Sequence, residues 1–551
     1  MCSQSNYILI KNGVLISKEY DSEKKDILIK DDKIIEIEDF IEIKNDFKLI
    51  EANNKIVAPG FFDFHSHCDF YFPYREHVEL YGPLLFQGVT TCLGGNCGLS
   101  MFPILKNNLN YFKDYTGFLL YDELDFTWGG YKEYLKYIEN NIMFNFASLT
   151  GCGTLRVNAA GYKRFLNDSE KKVMEKLLIE TLEDGSFGIS SGLMYMPGTF
   201  SDTKELIELA KITKKYPNTI YTSHMRGYSH NFLESIKETI KIGQETGIKV
   251  HCSHLGPFGT QFAPKIEEAL GLIHDASDKG VDITFDSLGY LGGNTTIMAI
   301  FPPFSYEKGS EKFLNDIKDD EFFYNIIRLM ENYIPKWPTW EYDGWTDNFV
   351  KALGWENIII LGTKNNKLFG KNFIQIAKDR GKGIHEALRE VLLDEGTDIT
   401  IYFKGVGGAL DDNDPRIKYF DLMIEDDLCL IAIDAVFSKN GITMPFLYGT
   451  FPRILNRYVK NKKTLSLKKA IEKFTSKVAG RLNLDNRGYL KSGCYADIVI
   501  FDFENFKNHT DFSYFKPEVA TGVNYLFING KAIIENNNIS KIKSGYIIRN
   551  V

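Results

Sequence analysis

What most constrains this chain is the alternation of short apolar runs with amphipathic helical stretches. The strand candidates are KIVAPGFFDFHSH, GVTTCLGG, FNFASLTG, FGISSGLMY, NTIYTSH, IKVHCSH, VDITFDS and CLIAIDA. Most are separated by stretches such as SEKKVMEKLLIETLEDG, DTKELIELAKITKKY, NFLESIKETIKIGQETG and KIEEALGLIHDASDKG. In each of these, apolar residues recur three and four apart, with a polar cap residue before or a Gly after. Eight such strands alternating with helices predict an α/β fold, a (β/α)₈ TIM-like barrel over residues 59–485. The two ends of the chain have another texture. YILIKNGVLI and KDILIKDDKIIEIED at the start, and GCYADIVIFDF and GVNYLFINGKAII near the end, are β-branched runs broken by Asn-Gly and Asp-Asp turn signals. They predict β-rich segments over 1–58 and 486–551.

One connection is too long for an ordinary barrel loop. Between Gly289 and Leu428 the chain runs through IPKWPTWEYDGWTDNF and holds Trp337, Trp340, Trp345 and Trp355. Long loops of this kind act as lids over active sites, and a lid-like insertion is expected at about 291–355. The alternative is a small helical subdomain that packs on the barrel.

The formal net charge of -8 argues against a nucleic-acid partner, since phosphate binding needs a basic surface. No apolar segment reaches the length of a membrane span, and MCSQSNYILIKNG does not read as a signal peptide. Eight scattered cysteines suit reduced thiols better than a disulfide framework. The expectation is a soluble cytoplasmic globular protein. Oligomeric state leaves no trace in the sequence.

In a strand, residues two apart share a face, so Asp63, His65 and His67 point the same way. At the end of the first barrel strand the imidazoles would enter the barrel mouth, where such folds hold their chemistry. Two imidazoles converging there suit a metal, although the pair alone would equally suit hydrogen-bonded core histidines. Other strand ends favour the metal. His224 ends YTSH, His254 ends HCSH, Asp434 ends LIAID, and Cys97 sits in GGNCG, where glycines let the backbone turn sharply. His251 alternates away from His254 and is expected to face the surrounding helices. His77, His230, His274, His385 and His509 fall on helices or loops and read as surface or packed residues.

With APGFFDFHSH, these histidines and Asp434, the chain resembles the amidohydrolase superfamily. GVTTCLGGNCGLS, SSGLMYMPGTFSDTKELIELA, YGTFPRILNRYV and RGYLKSGCYADIVIFD narrow the resemblance to its D-aminoacylase (N-acyl-D-amino-acid deacylase) branch. The resemblance implies that the two β-rich ends pair into a small β-sandwich beside the barrel. It also implies that Cys97, His224 and His254 hold one tightly bound zinc, and that His65, His67 and Asp434 form a second, weaker metal position. Asp434 would pass a proton from water to the departing nitrogen, and Tyr195 would hydrogen-bond near the reacting carbonyl. Cys97 read only as a small buried residue, or Tyr195 only as a packed aromatic, is the alternative in each case.

The departures from the family fall on substrate-facing positions. Gly256 stands where the branch has a lysine, Phe446 where it has an arginine, and Leu288-Gly289-Tyr290 where it has Tyr-Pro-Tyr. Cys152 replaces a histidine, a change without a derivable consequence. Arg226, Arg156 and Tyr290 remain as substrate-binding candidates, the two arginines having loop bracing as their alternative role. The expected function is zinc-dependent hydrolysis of a C–N amide bond, in an N-acyl-D-amino acid or related N-acyl amine. The alternatives are a neutral or cyclic amide, as in hydantoinases and dihydroorotases, and a non-catalytic binding protein.

Overall fold

The computed structural model describes residues 7–74, 78–437, 441, 443–509 and 518–550. Its N-terminal strands are β1 (Tyr7–Ile16), β2 (Asp21–Lys30), β3 (Lys33–Glu38), β4 (Phe47–Glu51) and β5 (Ile56–Pro59). The parallel core follows with β6 (Phe61–Asp63), β7 (Val89–Gly94), β8 (Asn145–Ser148), β9 (Thr150–Gly151), β10 (Gly188–Gly192), β11 (Ile220–His224), β12 (Lys249–Cys252) and β13 (Ile283–Ser287). Then come β14 (Gly292–Thr296), β15 (Ile358–Gly362), β16 (Thr400–Lys404) and β17 (Cys429–Ile431). The chain closes with β18 (Ile498–Phe501), β19 (Val523–Ile528), β20 (Lys531–Glu535) and β21 (Asn538–Ile539).

The parallel strands form two arcs. One has the order β6-β7-β8, the other β17-β13-β12-β11-β10-β9. The chain itself links them at residues 145–151, where β8 runs almost directly into β9. At the other seam Ser66 bridges Ala435 in parallel, and the backbone N–H of Asp434 donates to the His65 carbonyl at 2.7 Å. That contact brings the first and last strand candidates of the sequence side by side. All eight candidates contain a strand, and the residues of β6–β13 and β17 are buried throughout except Lys249, as parallel strands covered on both faces should be.

The helical stretches also form where the pattern puts them. Helix α1 (Asp168–Glu183) starts at Asn167, whose side chain accepts from the Glu170 N–H, and α2 (Thr203–Thr213) starts at Asp202, which accepts from Glu205. Helix α3 (Phe232–Thr246) ends on Gly247 in the left-handed conformation. Helix α4 (Lys265–Asp278) follows, and each of the four packs on the next.

The two ends of the chain meet in one nine-stranded sheet, joined where β5 pairs antiparallel with β18. Strand β1 serves both parts of it: Tyr7–Lys11 pairs with β4, and Val14–Leu15 pairs with β5. The change of partner occurs at Asn12, which takes a left-handed φ of 61°, and Gly13, where a Cβ would come within 2.4 Å of Val57. Ile10, Leu15, Ile27, Ile29, Val57, Ile498 and Phe527 share the apolar core of this sheet. The inserted segment differs from expectation. It forms a three-stranded antiparallel sheet, β14-β16-β15, that returns to the core only after Lys404, well past residue 355. Among the described residues no helix is long and apolar enough to cross a membrane.

Candidate active site

The strand ends of the two arcs converge on one buried cluster. The ligating atoms of His65, His67 and Cys97 lie within 4.8 Å of one another, and so do those of Cys97, His224 and His254. Cys97 Sγ is 3.1 Å from His65 Nε2 and 3.6 Å from His254 Nε2, so the thiol stands between the two groups. Asp434 Oδ1 lies 3.4 Å from His67 Nε2 and 3.7 Å from His65 Nε2. The six candidate ligands, drawn from residues 65 to 434, therefore form one constellation.

The backbone at this cluster is unusual. Cys97, His254 and Asp434 have φ of 53°, 35° and 55°, a region that residues with a side chain seldom enter. Three of the six candidates thus sit on left-handed turns just past their strands, which aims each side chain back over the strand ends. Close packing holds the Cys97 turn. A Cβ on Gly192, at the end of β10, would stand 2.0 Å from the Cys97 carbonyl oxygen, so only glycine lets the two segments approach. The Asp69 carboxylate accepts from the N–H groups of Gly95 and Met101 on either side of the turn.

The donor set fits a metal that takes nitrogen and sulfur ligands. Both ring nitrogens of His224 are enclosed and make no hydrogen bond among the described residues, which a buried polar group does not sustain without a partner. Burial would push the Cys97 thiol up, but the neighbouring His65, His224 and His254 imidazoles outweigh it and hold the thiol well below its usual value. Burial also lowers His224 to about 4, more than the Cys97 charge restores. A thiolate beside a neutral imidazole is the protonation state that metal binding requires.

Sequence reasoning missed Asp286, which supports this cluster from below. Its carboxylate accepts from the His254 N–H at 2.6 Å, faces His65 Nδ1 at 3.2 Å and meets His251 Nε2 at 2.8 Å. Burial acts to raise its pKa, yet His65 and His251 hold it well below the usual carboxylate range. The available signal was the inward register of VDITFDS, a carboxylate two residues from Thr284 near a strand end. His251 corrects an expectation. It does not face the helices; it points into the core, between Thr284 and Asp286. Period-two alternation places His251 and His254 on opposite faces only while the strand continues, and β12 stops at Cys252 before the left-handed turn. His77 lies outside the described residues.

The cluster forms the floor of a pocket. His67, Cys97, His224, His254 and Asp434 reach it, and its walls include Leu99, Phe118, Met194, Leu255, Leu288 and Val406. The inserted segment supplies Asn294, Thr295, Phe349 and Phe403. Its tryptophans do not line the pocket; Trp345 and Trp355 are buried, and Trp340 covers the Arg226 guanidinium at 4.5 Å. Tyr195 lines the pocket, its ring 4.7 Å from that of His224 and its hydroxyl 2.9 Å from Thr295 Oγ1. Burial keeps this phenol protonated, well above its ordinary pKa. Tyr228, not anticipated, packs its ring on both His224 and His254, and Tyr290 lies in the pocket wall.

The two arginines do not join them. Arg226 is fully buried in an ion pair with Glu238 and donates to the Thr199 and Ser201 carbonyls. Arg156 is held by Glu205 and by the carbonyls of Lys163 and Arg164. All the Arg226 nitrogens and both terminal nitrogens of Arg156 are engaged, and neither residue lines the pocket, which favours the loop-bracing role over substrate binding. Among the described residues no Lys or Arg lines the pocket. Phe446 lies behind the wall, in an apolar cluster with Leu288, Tyr290 and Tyr402. At Gly256 a Cβ would come within 2.8 Å of Val406, so the position has no room for a lysine without a shift of its neighbours.

Residues 48–317 and 442–534 match the amidohydrolase family. A D-aminoacylase of Alcaligenes xylosoxydans xylosoxydans is 26% identical over 535 residues, 96% of this chain and 95% of that protein. An N-acyl-D-glutamate deacylase of the same organism is 27% identical over 514 residues, 93% of this chain and 90% of that protein. Among solved structures, the N-acyl-D-glutamate deacylase from Bordetella bronchiseptica, complexed with zinc and a phosphonate mimic of the tetrahedral intermediate, superposes with a TM-score of 0.78. It shares 22% identity, and the alignment covers 98% of this chain and 99% of that one. A dihydropyrimidinase from Brevibacillus agri has the same fold at a TM-score of 0.52, with 13% identity and 98% of both chains covered. With two thirds of its length matched and its strand-end ligands gathered in one cluster, the chain belongs to the amidohydrolase family, and it is a hydrolase of C–N bonds other than peptide bonds.

Proposed function

We propose that this site hydrolyses the amide bond of an N-acyl amine with zinc as its metal. The thiolate-bearing cluster of Cys97, His65, His67, His224, His254 and Asp434 carries this reading. Cys97, His224 and His254 would hold one ion tightly, with His65, His67 and Asp434 as a weaker second position. Bound zinc supplies a Lewis acid that polarises a carbonyl and acidifies a water. Asp434, on the pocket floor beside His67, takes the proton of the attacking water and returns it to the departing nitrogen, which cannot leave as an anion. The protonated Tyr195 hydroxyl donates to the oxygen on which negative charge develops. The apolar walls keep bulk water from the reacting atoms.

N-acyl-D-amino acids are the substrates named for the curated relatives and the reference class here. The absence of a lining cation among the described residues favours a second class, amides whose departing half carries no carboxylate, because a carboxylate loses its strongest orienting contacts in such a pocket. We further read the two parallel arcs as one (β/α)₈ barrel closed between β6 and β17. The division at 1–58, 59–485 and 486–551 stands as proposed, with the insertion extended to about residue 404 and its Phe349 and Phe403 acting as pocket wall. Zinc-reconstituted protein screened on N-acetyl-D-amino acids, their L-enantiomers, matched neutral amides and cyclic amides tests the proposal, with Asp434→Asn as blank. The expected result is turnover of neutral amides above the acids, reduced about 100-fold or more in the variant. No turnover of any amide, or turnover indifferent to Asp434, overturns it.

A further inference from the structure

Beside the catalytic pocket lies a second cavity whose chemistry the reaction above does not use. Tyr115, Tyr162, Tyr195 and Tyr306 supply four rings to its walls, and Asp114 and Asp398 supply two carboxylates. Phe118 and Tyr195 line both this cavity and the catalytic pocket, so the two spaces share a wall of aromatic side chains. The free volume is ≈ 50 Å³, several times the about 10–15 Å³ that one water needs. None of its described lining residues is Lys, Arg or His.

Two further observations point to a ligand. Tyr306 is 9% exposed and lines the cavity, and its hydroxyl has no hydrogen-bond partner among the described residues. The carboxylates are also incompletely matched. Asp114 accepts from the Tyr162 hydroxyl at 2.9 Å and from the Ser310 N–H at 3.4 Å, but neither Asp114 nor Asp398 has an ion-pair partner among the described residues. Both carboxylates also border the open groove outside, where Lys364 stands. A negative pair set among electron-rich ring faces repels an anion and attracts an ammonium group.

We propose that this cavity is a cation-binding subsite for the departing half of the substrate, which would be an N-acylated diamine or another amide with a distal ammonium. The inference rests on the reading of the main site as an amide hydrolase. The ammonium would lie against Tyr195 and Tyr306 and pair with Asp114 and Asp398 while the amide sits over the metal cluster. Water adds its oxygen to the acyl carbon, the C–N bond breaks, and the proton goes to the nitrogen, giving a carboxylic acid and a diamine.

The test compares N-acetyl-1,4-diaminobutane, N-butylacetamide and N-acetyl-4-aminobutanoate on the zinc-loaded full chain, with Asp114→Asn and Asp398→Asn alongside. Asp398 makes no hydrogen bond among the described residues and is exposed, so its variant leaves the fold unburdened. The expected kcat/KM order is ammonium, neutral, carboxylate, with about tenfold or more between the first two. In either variant the ammonium-to-neutral ratio should fall toward one. A wild-type ratio near one, a preference for the carboxylate, or a ratio that persists in both variants overturns the proposal. Calorimetric titration of 1,4-diaminobutane separates the subsite from the chemistry. If no amide is turned over, the hydrolase reading fails, while diamine binding that Asp398→Asn weakens about tenfold still supports a cation site. No diamine binding to the wild type overturns it.

Discussion

At the scale of single residues, Asp286 shows how the cluster is oriented. One carboxylate faces His65, His251 and the His254 backbone N–H at once, so it fixes two candidate ligands and one supporting imidazole. It touches none of the reacting atoms and acts as a positioning residue. Asp286→Asn keeps the size but replaces one acceptor oxygen with a donor NH₂, which cannot satisfy all three contacts. The expected result is zinc affinity lowered about 10–100-fold, read by competition with a chelator, with the unfolding midpoint of the metal-free protein little changed. Unaltered affinity would show that the imidazoles are held by packing alone.

At the scale of elements, the site depends on how closely turns approach strand ends. The Cys97 turn lies on the end of β10 with no space for a side chain at Gly192. Gly192→Ala should push the turn away, cost about 1–3 kcal/mol by overpacking and lower bound zinc. Urea unfolding and metal analysis read the two effects. An alanine variant with wild-type stability and full metal content would falsify the argument that this glycine sets the position of Cys97. The insertion works on the same scale. Its Asp347 accepts from the Tyr228 N–H and from the Ser229 hydroxyl, and thereby ties the segment to the loop after β11, where Tyr228 packs on two candidate ligands.

At the scale of the whole molecule, the terminal sheet and the parallel core are linked through Asp497. This carboxylate accepts from Asn145 in β8 and from the Asn529 N–H, and pairs with the buried Arg487. Asp497→Ala would leave Arg487 buried without its counter-charge, at a cost of about 3–5 kcal/mol in unfolding free energy. A loss below about 1 kcal/mol would mean that the terminal sheet and the core hold together without this link. Strand β18, near the end of the chain, also pairs with β5, which leads directly into β6 and the His65-Ser66-His67 segment.

The sequence by itself determined the eight stretches that supply the core strands, the helices between them and the six strand-end residues that come together in one cluster. Periodicity reports which face of an element is buried, and polar ligands at the ends of apolar strands have few structural uses. The tertiary structure alone decided how those groups are supported and what lies around them. Whether Arg226 and Arg156 are available to a substrate depends on Glu238 and Glu205, whose positions beside them no local pattern encodes. His251 turned inward because a strand ended one residue later. Asp286 became a support only when its strand was set beneath His65, 221 positions away. The cation-free walls and the carboxylate-lined side cavity arise in the same way, where segments distant in sequence meet and each side chain's chemistry is set by its neighbours.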